Sequence, residues 1–292
     1  MLVTLPMQLN CSRMSYHVPM SATLIQSIPD AELLQAVISI ARKASAAIMN
    51  VYAGEFTVDH KSDNSPLTQA DKAAHTLITN ELHKLTPDIP VLSEESPPEC
   101  HDYAVRRQWT QFWLVDPLDG TKEFIQRNGE FTVNIALIQQ HQPVLGVIAI
   151  PATDVIYSGA ISLGAQRISG DQDAVRITTR KAISIPVIVG SRSHGGDSLN
   201  LFLNRLGQHE LSSVGSALKF CRVAEGSADC YPRLGPTSEW DTGAGQAIVE
   251  AAGGAVFELS GETLSYNRRQ SLLNPHFIAV GDREFAWRHL IG

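Results

Sequence analysis

The chain has 292 residues, enough for one large domain or two modest ones, and its 43% hydrophobic and 18% charged content is ordinary for a folded globular protein. A formal net charge of −7 argues against broad binding to nucleic-acid polymers or acidic membranes, so an anionic substrate would need local positive charge. No apolar run approaches the ~18–20 residues that cross a bilayer, and the first twenty residues make a poor signal peptide, with Arg13 as the lone cation. Cys11, Cys100, Cys221 and Cys230 are far apart with no CxxC pair. They are expected to be reduced structural thiols in a cytosolic protein.

Residues 1–29 show no sustained periodicity, contain Pro6, Pro19 and Pro29, and read as an N-terminal extension. From Asp30 the pattern changes. Leu33, Leu34, Val37, Ile38 and Ala41 recur at helical spacing, with Gly54 as a stop. The polar stretch 59–66 reads as an exposed loop. A second helix is predicted over about 68–85, with Ala74, Leu77, Ile78, Leu82 and Leu85 on one face and Asp71 in its first turn. Pro87 and Pro90 end it, and a short strand from Ile89 to Leu92 leads into Ser93-Glu94-Glu95. Residues 96–108 read as a loop or lid, and Phe112 to Val115 as a strand.

Phe131 to Ile138 and Val144 to Ile150 are rich in β-formers and read as an antiparallel hairpin, with Val155 to Tyr157 as a third strand. Helices on a mostly antiparallel sheet make this half α+β. The second half alternates instead. Strands are expected at 185–189, 211–214, 228–231, 256–259 and 277–280, and helices at 199–206, 217–224 and 240–252. That half reads as α/β. The expected divisions are an extension over 1–29, an α+β sub-domain over 30–165 and an α/β sub-domain over 166–292.

The chemistry concentrates in Trp113-Leu114-Val115-Asp116-Pro117-Leu118-Asp119-Gly120-Thr121. An apolar strand stops at one aspartate and a second follows three residues later. Two carboxylates so close are costly unless a cation lies between them, and a hard ion such as Mg²⁺ takes oxygen ligands together with phosphate oxygens. Amides near Gly120 and Thr121 suit a phosphate. No P-loop, GxSxG or HExxH pattern is present, and Gly243-Ala244-Gly245 lacks the third glycine of a dinucleotide fingerprint, with Ile248 in its place. What remains is an acidic set from distant segments: Asp71, Glu94, Glu95, Asp116, Asp119 and Asp241. Taken singly, each has a plain structural explanation. Asp71 suits a helix dipole, paired glutamates suit a solvated surface, and Asp241 suits a helix cap.

Taken in order, Asp71, Glu94-Glu95, Asp116-Pro-Leu-Asp119-Gly-Thr121 and Trp240-Asp241-Thr-Gly-Ala-Gly245 resemble the inositol monophosphatase-like, lithium-sensitive phosphatase superfamily over about residues 30–290. The run Asp116 to Ile125, the segment Asn128 to Ile135, Ser191-Arg192-Ser193-His194, Gly215 to Phe220 and Tyr231-Pro232-Arg233 resemble its bacterial 3′(2′),5′-bisphosphate nucleotidases. The resemblance implies a layered sugar-phosphatase-type fold with two sub-domains and the active site between them. It implies hydrolysis of the 3′-phosphate of adenosine 3′,5′-bisphosphate to AMP and phosphate, with 3′-phosphoadenylyl sulfate as a further substrate. The alternative is the same chemistry on inositol monophosphate or a sugar bisphosphate.

The resemblance also implies two or three Mg²⁺ ions. Glu94, Asp116 and the Leu118 carbonyl would hold one ion, and Asp116, Asp119 and Asp241 a second. Glu94 would help place a third through water. Thr121, hydrogen-bonded to Asp71, would activate the attacking water. Gly120 and Thr121 amides would receive the phosphate, and His194, Ser216, Lys219 and Arg233 would contact the nucleotide. Glu94, Asp119 and Asp241 also border the substrate. Lithium sensitivity and a cytoplasmic location follow as expectations, with peripheral attachment to the cytoplasmic face of the inner membrane left open. One departure is Gly243, where these nucleotidases usually carry alanine, and glycine weakens a helix by up to ~1 kcal/mol.

Overall fold

The structure, a computed structural model, describes residues 29–60, 66–190 and 197–290. The 1–28 part of the expected extension and the motif Ser191 to His194 lie outside these residues. In chain order the elements begin with α1 (Ala31–Tyr52), β1 (Val58–His60), β2 (Pro66–Thr68), α2 (Gln69–Leu85) and β3 (Val91–Ser93). They continue with α3 (Tyr103–Arg106), β4 (Gln111–Asp119), α4 (Thr121–Ile125), β5 (Thr132–Gln139), β6 (Gln142–Ile150), β7 (Val155–Ala160), β8 (Gly164–Ser169) and β9 (Val175–Ile177). The remainder comprises β10 (Val187–Gly190), α5 (Asp197–Leu206), β11 (Glu210–Ser213), α6 (Leu218–Ala224), β12 (Cys230–Arg233), α7 (Gly243–Ala251), β13 (Ala255–Glu258) and β14 (Phe277–Val280).

Seven strands form one sheet in the order β3-β4-β5-β6-β7-β8-β9, parallel between β3 and β4 and antiparallel elsewhere. This sheet extends past residue 165 to Ile177. Five strands form a second, mixed sheet, β11-β10-β12-β14-β13. The strand period of two sorts side chains between faces. Trp113 and Val115 on β4, with Val133, Ile135 and Leu137 on β5, pack against α1 and α2. Phe112, Leu114, Ala136 and Ile138 face the other way, toward α6, α7 and the second sheet. On β14, Phe277 and Ala279 join this middle core, while Ile278 and Val280 pack with α5 residues and Trp287 on the far side. The result is five layers: helices, seven-stranded sheet, helices, five-stranded sheet, helix.

Several boundaries differ from expectation for local reasons. Asp30 caps α1 by accepting from the Leu33 amide at 2.8 Å. The predicted exposed loop at 59–66 contributes both ends to a short antiparallel pair, β1 with β2. Its three-residue arms carry no apolar alternation that could have announced them. The segment 96–108 is not a free lid, because it holds a 3₁₀ turn, Pro98–His101, then α3, and Arg106 is fully buried. The helix predicted at 240–252 begins at Gly243, after a 3₁₀ turn at Glu239–Asp241. Leu85 ends α2 exposed rather than on its apolar face. Cys221 and Cys230 are buried free thiols, whereas Cys100 takes part in a disulfide, against the expectation of reduced cysteines throughout.

The middle layer also accounts for Gly243. A Cβ there would lie 3.0 Å from Leu114 Cδ2 and 3.3 Å from Ala136 Cβ. The glycine lets α7 lie close on the long sheet, which the propensity argument did not consider. Gly146 on β6 serves the same approach, since a Cβ at that position would overlap the Ala244 carbonyl.

Candidate active site

Strand parity aims the first carboxylate. Asp116 follows Phe112 and Leu114 at steps of two, so it faces the middle layer, where it is 1% exposed. The strand does not stop there. It continues to Asp119 across an irregularity in its pairing with β5 between Asp116 and Asp119. Pro117 lies in this stretch, and the Leu118 amide donates to Asp116 Oδ1 at 3.0 Å. Both aspartates thereby end on the same side. Gly120 then takes φ +90°, a conformation open to glycine, and a Cβ there would overlap Ser216 Oγ. The turn starts α4 and presents Thr121.

Three other segments converge on this edge. Asp241, delivered by the 3₁₀ turn ahead of α7, places a carboxylate oxygen within 4.8 Å of oxygens from Asp116 and Asp119. Its Oδ2 accepts from Thr237 Oγ1 at 2.7 Å and the Ser238 amide at 2.9 Å. Glu94 follows β3, where its amide donates to the Val115 carbonyl at 3.0 Å. Its charge acts on both Asp116 and Asp119, although it is outside the group of three that meet. Asp71, buried at the start of α2, accepts from the Thr68 amide and hydroxyl through Oδ2. Its other oxygen accepts from Thr121 Oγ1 at 3.3 Å. Capping and the contact with Thr121 thus use different oxygens, and the two readings of Asp71 coexist.

Burial and the neighbouring carboxylates push Asp116 well above the usual carboxylate range and Asp119 up to about 7. Lys219 and Asn134 pull Asp119 the other way. Negative charge held here without compensation is what a divalent cation relieves, and an all-oxygen donor set suits a hard ion. The residues present therefore fit a metal ion.

Next to the carboxylates runs a cleft whose walls include Asp119, Gly120, Ser216, Lys219, Tyr231, Arg233 and Asp241. Ser216, at φ +45°, donates through Oγ toward the Asp119 carbonyl (3.0 Å) and the Glu130 carbonyl (2.7 Å), tying the second half of the chain to the Gly120 turn. Lys219 is 4% exposed, donates to the Ser216 carbonyl at 2.6 Å and the Val214 carbonyl at 3.3 Å, and lies over the Tyr231 ring. Burial pushes its ammonium down to about 8, with Asp119 opposing. Arg233 donates to the Pro236 carbonyl and keeps a buried Nε without a partner. His194 lies outside the described residues.

Sequence reading missed three supporting groups. Asn134 Nδ2 approaches Asp119 Oδ2 at 3.5 Å, Glu130 Oε2 accepts from the Gly215 amide at 2.7 Å, and Thr237 holds Asp241. Asn134 did leave a signal, as a polar residue inside an apolar strand in the same parity as Ala136 and Ile138. Glu130 stands in the segment Asn128 to Ile135 that carries the resemblance but had no role of its own there, and Thr237, in an irregular turn, left no signal.

A layered fold with clustered carboxylates beside a cationic cleft defines a class, the sugar-phosphatase-type phosphatases. Residues 30–286 match the profile of the inositol monophosphatase family, and the chain belongs to that family. It is 52% identical over 247 residues to the 3′(2′),5′-bisphosphate nucleotidase CysQ of Salmonella typhimurium, covering 84% of this chain and 98% of that one. The crystal structure of CysQ from Bacteroides thetaiotaomicron, a bacterial member of the same family, superposes with a TM-score of 0.76 at 44% identity, covering 87% of this chain and 98% of that one. An inositol monophosphatase from Thermotoga maritima is similar at a TM-score of 0.72 but 23% identity, covering 89% and 96%, and so shares the fold alone.

Proposed function

We propose that this phosphatase is Mg²⁺-dependent and removes the 3′-phosphate of adenosine 3′,5′-bisphosphate, releasing AMP and phosphate, and that it also accepts 3′-phosphoadenylyl sulfate. The observation that carries this reading is the adjacency of Asp116, Asp119 and Asp241 to a cleft bearing Lys219 and Arg233. Anionic chemistry at one end and cationic side chains at the other suit a substrate with two phosphates. The named function of the CysQ relative supports the same substrate.

Asp116, Asp119 and Asp241, with Glu94 and the Leu118 carbonyl, would hold two or three ions. Bound metal supplies a lowered pKa for water and charge compensation for the phosphoryl group and its leaving oxygen. The chain's own residues supply orientation. Thr121 donates a hydrogen bond to Asp71, which leaves the lone pairs of the Thr121 hydroxyl to accept from the attacking water. Amides at Gly120 and Thr121, at the start of α4, would receive phosphate oxygens. Lys219, Ser216 and Arg233, together with His194, would hold the nucleotide and its second phosphate, with Arg able to bind it bidentately. Among the described residues no helix is long and apolar enough to cross a membrane, and we place the protein in the cytoplasm.

The test is kcat/KM for adenosine 3′,5′-bisphosphate, inositol 1-phosphate and fructose 1,6-bisphosphate, with Mg²⁺ and with chelator. The bisphosphate nucleotide should lead by at least ~100-fold, the discrimination expected when buried polar groups meet the substrate they fit. Equal or better turnover of inositol 1-phosphate would establish the alternative substrate class.

A further inference from the structure

We propose that Arg106 is a positioning residue, a strut that sets the separation between Glu94 and Asp241. The proposal rests on reading these carboxylates as metal ligands. It begins from a guanidinium with no exposure at all, on a segment whose sequence reads as loop. Burying such a group is tolerated only when its donors are met. Here each side of the fork meets a different piece of chain.

Toward Glu94, Arg106 Nε donates to the His101 carbonyl at 3.1 Å. His101 in turn bonds the carbonyl of Ser93, the residue before Glu94, through Nε2 at 2.9 Å, and its ring lies 5.6 Å from that of Trp240. Toward Asp241, Arg106 Nη1 donates to Asn267 Oδ1 at 2.7 Å and Nη2 to the Gln270 carbonyl at 2.6 Å. Asn267 returns a bond from Nδ2 to the Arg106 carbonyl at 2.6 Å. Its amide donates to both carboxylate oxygens of Glu239, at 3.0 and 2.9 Å. Glu239 is itself fully buried and opens the 3₁₀ turn that ends at Asp241.

An unbroken chain of hydrogen bonds therefore runs from the backbone beside Glu94 to the turn that carries Asp241. Asn267 holds φ +55° in this arrangement, a left-handed conformation that asparagine tolerates better than most residues. Glu94 follows β3 at the edge of the seven-stranded sheet, whereas Asp241 ends the 3₁₀ turn ahead of α7. β4 pairs with β3 and packs on that turn, and the strut ties the same two segments from the other side; its partners hold the ligands rather than touching substrate. Partners of this kind typically change metal affinity 10–100-fold when removed.

The test uses the full chain and a readout without turnover: Mg²⁺ and Mn²⁺ binding to metal-free protein by titration calorimetry. Arg106→Lys keeps the charge and most of the volume but cannot span three acceptors. Its dissociation constant should rise at least ~10-fold, and the Mg²⁺ concentration for half-maximal activity should rise with it, while kcat at saturating Mg²⁺ stays within ~3-fold of wild type. Trp287→Phe, in the core layer beyond the second sheet, should lower the melting temperature and leave metal affinity unchanged. Arg106→Met is the harsher variant, and Arg106→Lys carries the test if Arg106→Met does not fold. A lysine variant that melts early yet binds metal as wild type does would reduce Arg106 to a stability role and overturn the strut. A wild-type protein that binds no divalent ion would overturn the metal reading itself, which separates the two failures.

Discussion

Replacing Asp119 by asparagine should make the metal-free protein more stable and the enzyme inactive. Asp119 lies beside Asp116 and Asp241, and burial together with the charges of Asp241 and Glu94 raises it from 3.8 to about 7, against Lys219 and Asn134. A carboxyl whose folded value is raised binds its proton more tightly in the native state. Its stabilising contribution is full below about pH 4 and is lost as pH rises through about 7. At about 1.4 kcal/mol per pH unit the full shift would amount to roughly 4 kcal/mol. Asp119 is partly exposed, and solvent screening reduces this to about 2 kcal/mol. Asparagine has the same shape and no charge to desolvate. Melting in EDTA at pH 8 should therefore be about 5 °C higher for Asp119→Asn than for wild type. At pH 4 the gap should close, because wild-type Asp119 is then protonated. Added Mg²⁺ should raise the melting temperature of wild type more than that of the variant. Phosphate release should nearly cease, because the site loses a carboxylate that would hold the metal. Equal melting temperatures in EDTA at pH 8, or a variant that keeps a tenth of its activity, would refute the account of a repulsive carboxylate cluster.

Thr121→Val removes the hydroxyl that bonds Asp71 while keeping the side-chain shape, so kcat should fall ~100-fold or more with KM little changed; steady-state phosphate release separates the two. Gly146→Ala would drive a methyl group into the Ala244 carbonyl and push α7 off the long sheet. A cost of about 1–3 kcal/mol is expected for overpacking of this kind, visible as an earlier denaturant midpoint, and an unchanged midpoint would show that α7 can shift without penalty.

Most of the architecture is legible in the sequence. The 3.6 period marked the buried faces of α1 and α2, and unbroken apolar runs marked β4, β5 and β6, which are buried on both faces, because burial imprints itself on neighbouring residues of one element. The short arms β1 and β2 left no such imprint. Nor did α3, whose buried member is an arginine: Arg106 reads as a surface charge until Asn267 and the Gln270 carbonyl, more than 160 positions away, are placed against it. The penalty assigned to Gly243 counted helix propensity alone, and the nearness of Leu114, which favours a residue without a Cβ, is likewise invisible along the chain.

By itself the sequence determined the set of groups available for chemistry and the elements that carry them. Asp116 falls on the strand face that looks into the middle layer, glycine stands where the chain must turn left-handed, and Thr121 follows it. Only the tertiary structure decided which groups meet. It brought Asp241 to Asp119 across more than a hundred residues, put Asp71 within reach of Thr121, and sank Lys219 under the turn that holds Ser216. Periodicity is a property of one element and its solvent, so it can be read along the chain. Metal affinity, proton affinity and substrate fit depend on distances between elements and on how much water is excluded from them, and those quantities exist only after the layers have packed.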